Sequence, residues 1–186
     1  MEVPVTVQIS NRHIHLNNET YYKLFDHDLT VDHNLNQIGQ FAAKEHVQLK
    51  TFRGVIDDVT IVGPLREYNQ VEISHHDARD LGLNPPVRKS GDILVSEVIT
   101  VETEKNYVEI DGCIIADRHV HMNPEKALEL GVVNGEVLKL KLGGERSGII
   151  DVYAKVSDDG FFEVHLDTDD ANAFLLEGGE VATLII

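Results

Sequence analysis

The chain has 186 residues, 42% of them apolar, which is enough for one domain or two small ones with a buried core. Sixteen Lys and Arg stand against 32 Asp and Glu, a formal charge of -16, so nucleic acid and anionic membrane surfaces are excluded as main partners. A single cysteine, Cys113, rules out a disulfide framework and cysteine-rich zinc knuckles. Ten histidines against no tryptophan make the placing of those histidines the main question. No stretch approaches the ~18 consecutive apolar residues of a membrane-spanning helix. The opening MEVPVTVQIS has neither the basic nor the apolar region of a signal peptide, so a reducing cytoplasm is the expected compartment.

In chain order, short Val- and Ile-rich segments predict strands over 3–10, 46–52, 58–64, 70–74, 92–102, 106–116, 136–142, 149–156, 161–167 and 180–186. Gly, Pro, Asn and Asp separate them, as in small barrels. Four helix starts follow strand ends, at Asn17-Asn18-Glu19, Ser74-His75-His76-Asp77, Asn123-Pro124-Glu125 and Thr168-Asp169-Asp170, with acids in the first turn. Three of these helices run on to a glycine, at Gly82, Gly131 and Gly178. The unit is strand, capped short helix, glycine turn, strand.

A sharper duplication lies inside this pattern. Residues 12–16 read Arg-His-Ile-His-Leu and residues 118–122 read Arg-His-Val-His-Met, each followed by Asn. Two related barrels are therefore expected, with sites meeting at a pseudo-symmetric interface. Residues 90–109 are the expected handover between them.

Within each repeat, positions i and i+2 of a strand share one face, about 7 Å apart. His13 with His15, and His119 with His121, can each grip one metal ion, while Ile14 and Leu16 point the other way. One such pair arises readily by chance; two in one duplicated frame do not. His165 shares a face with Glu163 and Asp167, opposite Phe162, Val164 and Leu166. Alone it reads as a solvated strand histidine, but beside an HxH pair it could complete a three-histidine site with an open position, as catalytic zinc requires. Glu72 lies opposite Val71 and Ile73 and reads equally as a solvated acid or a ligand. Arg66, after the Gly63-Pro64 turn, gains interest only if the substrate is anionic, since its fork matches phosphate. His27, His33, His46, His75 and His76 have no partner at ligand spacing. Residues 143–148 are glycine-rich but lack the Lys-Ser/Thr of a phosphate loop, and no Gly-x-Ser-x-Gly elbow is present. Cys113 sits in an apolar run and reads as buried filler.

Six blocks in order, at 10–16, 39–45, 63–66, 70–74, 118–122 and 165–172, resemble the PduL-type phosphotransacylases, also called phosphate propanoyltransferases. The resemblance spans nearly the whole chain. It implies a mainly β fold: two small six-stranded β-barrels capped by short α-helices, with the active site between them. The N-terminal strand joins the barrel of the C-terminal half, giving residues 1–11 plus 113–186 and residues 12–112. It also implies two zinc ions, one on His13, His15 and Glu72, which would take the coenzyme A sulfur, and one on His119, His121 and His165. Arg66 matches the family's phosphate-binding arginine, and Ser10 and Asn172 fall where the family contacts coenzyme A.

The implied reaction is acyl-CoA plus phosphate to acyl phosphate plus CoA, with propanoyl-CoA or acetyl-CoA as substrate and a place in propanediol degradation. Zinc suits it by stabilising a thiolate leaving group, and no nucleophilic side chain is needed. The chain departs from the family in two places. Residues 32–38 carry no Lys or Arg, and Thr60 stands where a second family arginine would be. Both changes remove positive charge that could hold CoA phosphates. Members housed in microcompartments carry an amphipathic N-terminal extension not seen here, so a cytoplasmic member is expected; separately, a homodimer is the expected assembly. Two other readings remain open at this point: a dinuclear zinc hydrolase, and a non-catalytic barrel that binds metal or another ligand.

Overall fold

The computed structural model describes all 186 residues. In chain order the elements are β1 (Glu2–Ser10), β2 (His13–His15), α1 (Asn18–Leu24), β3 (Val31–Asn34), β4 (Phe41–Lys50), β5 (Val55–Gly63), β6 (Gln70–Glu72), α2 (His75–Leu81), β7 (Val87–Arg88), β8 (Glu97–Glu102), β9 (Tyr107–Ala116), β10 (His119–Met122), α3 (Pro124–Leu130), β11 (Val137–Leu142), β12 (Gly148–Val156), β13 (Glu163–Asp167), α4 (Thr168–Phe174) and β14 (Val181–Ile185). They form two compact units, residues 1–11 with 117–186 and residues 12–116. The first is called here the terminal barrel and the second the central barrel. A boundary at 113 would cut β9, whose residues Cys113 and Ile114 pair with β6 and whose Ile115 and Ala116 pair with β7.

The protein is mainly β, with two closed six-stranded barrels. In the terminal barrel the order is β1-β13-β10-β12-β11-β14, closed by β14 against β1. In the central barrel β4, β5, β2, β6, β9 and β8 pair in turn, and β8 returns to β4. β3 and β7 are added on the outside of β4 and β9. Closure leaves each ring of strands without a free edge. The alternation foreseen in the sequence fills each barrel. Ile14, Leu16, Val71 and Ile73 lie in the central core, and Val120, Met122, Val164 and Leu166 in the terminal one, all at most 3% exposed.

The duplication extends to strand pairing. β2 runs parallel to β5 and antiparallel to β6. β10 likewise runs parallel to β12 and antiparallel to β13. On the far side of β6 lies β9, parallel, with Val71 opposite Cys113. On the far side of β13 lies β1, parallel, with Val164 opposite Val7. Each half of the sequence thus opens with a strand, β1 or β9, that is built into the barrel of the other half.

All four helices have seven residues and side-chain N-caps, from Asn17, Ser74, Asn123 and Asp167. Gly82 and Gly131 end α2 and α3 in the left-handed conformation that glycine adopts at least cost. α4 departs from the expected pattern. Leu175, not Gly178, takes the left-handed position, and the next residue, Leu176, packs against the terminal core. That contact turns the chain inward before the glycine is reached. The strand expected over 92–102 begins only at Glu97. Residues 92–96 form a turn, in which Leu94 N donates to Asp92 and Ser96 N to the Ile93 carbonyl.

Candidate metal centres

The two HxH segments occupy equivalent places, and the sheet register brings a third candidate ligand to each. His13 faces Glu72 across β2 and β6. His119 faces His165 across β10 and β13. The ligand atoms of His13, His15 and Glu72 all lie within 4.8 Å of one another, as do those of His119, His121 and His165. All six expected ligand residues therefore fall into two clusters, one in each barrel. Ile14 and Val120, fully buried on the opposite face, anchor the HxH strands to their cores.

The donor chemistry fits a cation. His119 Nδ1 faces the Asp117 carbonyl at 2.8 Å, which assigns the proton to Nδ1 and leaves Nε2 a bare lone pair. That lone pair is aimed at His121 Nε2, 3.1 Å away, close to the ~3.3 Å between two nitrogens on one tetrahedral zinc. His121 Nδ1 is buried with no hydrogen-bond partner. In the central barrel His15 Nδ1 donates to the Val62 carbonyl at 3.0 Å, again leaving the Nε2 lone pair for a cation. His13 Nε2 lies 3.6 Å from Glu72 Oε2.

Both buried histidines are held neutral. Burial, then the charges of His119, His165 and Lys155, push His121 down to about 2. Burial, then His13 and Arg66, push His15 well below the usual imidazole range. A neutral imidazole is the form that binds metal, so neither cluster needs to lose a proton from these residues at neutral pH.

Arg66 belongs to the central cluster. Its backbone N–H donates to the Leu16 carbonyl at 2.8 Å, docking the turn after Gly63-Pro64 beside the end of β2. Its guanidinium lies over the Tyr68 ring, 5.9 Å from the centroid, and its charge reaches His15. Gly63 itself faces Phe41, whose ring would stand 2.3 Å from a Cβ there, so a side chain at this position would require the Phe41 ring to move. Thr60 pairs with His13, so the position without the family's arginine lies next to the ligand strand. In the terminal barrel Ser10 pairs with Asp167 at the end of β1, and Asn172 is exposed on α4.

Sequence reasoning missed several residues around the clusters. Gln70 and Glu163 are buried beside Glu72 and His165, although strand alternation already placed them on the ligand face. Glu72 is itself buried rather than solvated. The arginine that precedes each HxH pair reaches a helix N-terminus. Arg118 grips Asp170 with two bonds of 2.7 and 2.6 Å, and Arg12 lies 3.3 Å from Asp77. Both acids occupy the third helical position, after the strand that carries the third ligand. Cys113 is fully buried, and burial, then Glu97, push its thiol up to about 12. Four of the remaining histidines, His27, His33, His46 and His76, lie 2.6–3.6 Å from carboxylates. His27 and His46 line a separate cavity of about 540 Å³ that contains none of the expected site residues.

These features define a two-barrel β protein with a duplicated, imidazole-rich ligand cluster. The model of the phosphate propanoyltransferase family matches residues 6–177. A phosphate propanoyltransferase of Shewanella putrefaciens is 43% identical over 187 residues, covering 98% of this chain and 89% of the relative. One of Thermotoga maritima is 39% identical over 189 residues, covering 99% and 90%. One of Salmonella typhimurium is 40% identical over 174 residues, covering 91% and 83%. The chain belongs to the phosphate propanoyltransferase family, a family of acyltransferases.

Proposed function

We propose that the chain interconverts a short-chain acyl-CoA plus phosphate with the acyl phosphate plus CoA, using two zinc ions. The observation that carries this reading is the pair of clusters in one duplicated frame. His13, His15 and Glu72 would hold one ion, and His119, His121 and His165 the other. Bound there, zinc supplies Lewis-acid stabilisation to the thiolate that leaves and to the oxygens that react.

The chain's own residues do the rest. A phosphate oxygen attacks the thioester carbonyl carbon, a C–O bond forms, and the C–S bond breaks with its electron pair leaving on CoA sulfur. Arg66 binds the phosphate through its guanidinium fork and orients it for this direct attack. Ser10 and Asn172 are proposed to contact CoA. No side chain is acylated. The one thiol is buried and protonated, which supports direct transfer over a covalent enzyme intermediate. Propanoyl-CoA and acetyl-CoA are the proposed substrates, and a cytoplasmic homodimer the proposed form. No helix is long and apolar enough to cross a membrane.

The test is a thiol-release assay on purified protein with metal analysis of the same sample. Acyl-CoA should be consumed only when phosphate is present, and chelation should abolish the reaction. Thiol release that continues without phosphate would point to a hydrolase, and zinc binding without turnover to a binding barrel.

A further inference from the structure

Each cluster is one part of a square of four side chains on two paired strands. In the central barrel His13 faces Glu72 and His15 faces Gln70. In the terminal barrel His119 faces His165 and His121 faces Glu163. Three corners of each square are the ligand residues. The fourth, Gln70 or Glu163, is only 0% or 7% exposed, and a polar side chain is buried at a cost unless it is bonded.

Each fourth corner bonds the third ligand, two residues along its own strand. Gln70 Nε2 donates to Glu72 Oε1. Glu163 Oε1 lies 3.2 Å from His165 Nε2, so in this arrangement Nε2–H donates to Glu163 and His165 would ligate through Nδ1. The polarities are matched to the ligand. A ligating carboxylate only accepts, and its neighbour is an amide that donates. A ligating imidazole has a second nitrogen that must donate, and its neighbour is a carboxylate that accepts. Exchanging the two corners would set acceptor against acceptor in the central barrel. The Gln70 amide is also fixed in its orientation. Its Oε1 accepts from Gly91 N at 2.8 Å while its Nε2 donates to Glu72 and lies 3.1 Å from Ser90 Oγ, so a flip would set the amide nitrogen against Gly91 N–H and the amide oxygen against the carboxylate.

We propose that Gln70 and Glu163 are positioning residues, each fixing the orientation and donor strength of the third metal ligand of its barrel through a hydrogen bond of complementary polarity. This inference rests on the two-metal reading above. The full-length protein is stripped of metal and titrated with zinc against a fluorescent chelator, and the metal-free protein is melted in parallel. Glu163→Gln keeps the volume and a weaker acceptor, whereas Glu163→Met keeps the volume alone. One of the two zinc steps should weaken about tenfold in the first and towards 100-fold in the second. The other step and the metal-free melting temperature should stay where they are. Gln70→Met, which keeps the volume and removes the donor, should weaken the other step by a similar factor.

Unchanged zinc affinities in all three variants would overturn the proposal. So would affinity losses that are matched by equal losses of metal-free stability, since those mark a merely structural role. If either Met variant does not fold, Glu163→Gln still decides the matter. Wild-type protein that binds no zinc would sink the two-metal reading itself, and this inference with it.

Discussion

The two barrels share a backbone plan and differ in the chemistry hung on it. Both set an HxH strand between a parallel and an antiparallel neighbour, and both take the third member of the candidate metal cluster from the antiparallel one. The central barrel uses a carboxylate there and the terminal barrel an imidazole. A divalent ion would keep one net positive charge in the first cluster and two in the second. The anchoring ion pair differs as well. Arg118 holds Asp170 bidentately, while Arg12 reaches Asp77 through a single 3.3 Å contact. Duplication has preserved the geometry that strand pairing fixes and let the side-chain chemistry diverge.

The largest expected effect tests whether both clusters are required. His15→Ala and His121→Ala each remove the most buried imidazole of one cluster. Each should lower phosphate-dependent turnover about a thousandfold, the scale of several kcal/mol of Lewis-acid stabilisation, and each should halve the zinc content. A variant that keeps its turnover would break the functional equivalence of the barrels.

A smaller effect separates the two arginines. Arg118→Ala should cost about 1–2 kcal/mol, because it strands the largely buried Asp170; its own 40% exposure trims the figure through solvent screening. Arg12→Ala should cost less, below ~1 kcal/mol, because the contact is looser and Asp77, though buried, keeps the bond from Ser74 N. Melting of the metal-free protein reads the difference at about 2–4 °C per kcal/mol. Equal shifts would show that the second arginine bond in the terminal barrel adds nothing.

The smallest effect concerns Cys113, which occupies the place in the central barrel that Val7 occupies in the terminal one. Cys113→Val should therefore keep full turnover and cost less than ~1.5 kcal/mol. Loss of turnover with a normal melt would make the thiol a participant after all. Folding raises this thiol from 9.0 to about 12, so its contribution to stability is complete below pH 9 and is lost as pH rises through about 12. Iodoacetamide at pH 8 should leave the folded protein unmodified and label it once unfolded.

Alternation along short strands let the sequence by itself determine which residues face the cores and which face away. It placed His13 with His15, His119 with His121, and Glu163 with His165, because the side-chain period of a strand is local. Capping residues likewise marked the four helix starts, since a cap acts within one turn. Tertiary structure alone decided which strands lie side by side. Glu72 comes opposite His13 only because β6 pairs with β2, and His165 opposite His119 only because β13 pairs with β10. The same pairing turned Gln70 and Glu163 from anonymous strand residues into buried partners of the ligands. Long-range register is set by how the whole barrel closes, and a slip of one residue would turn every ligand to the wrong face. No local pattern in the chain carries that information.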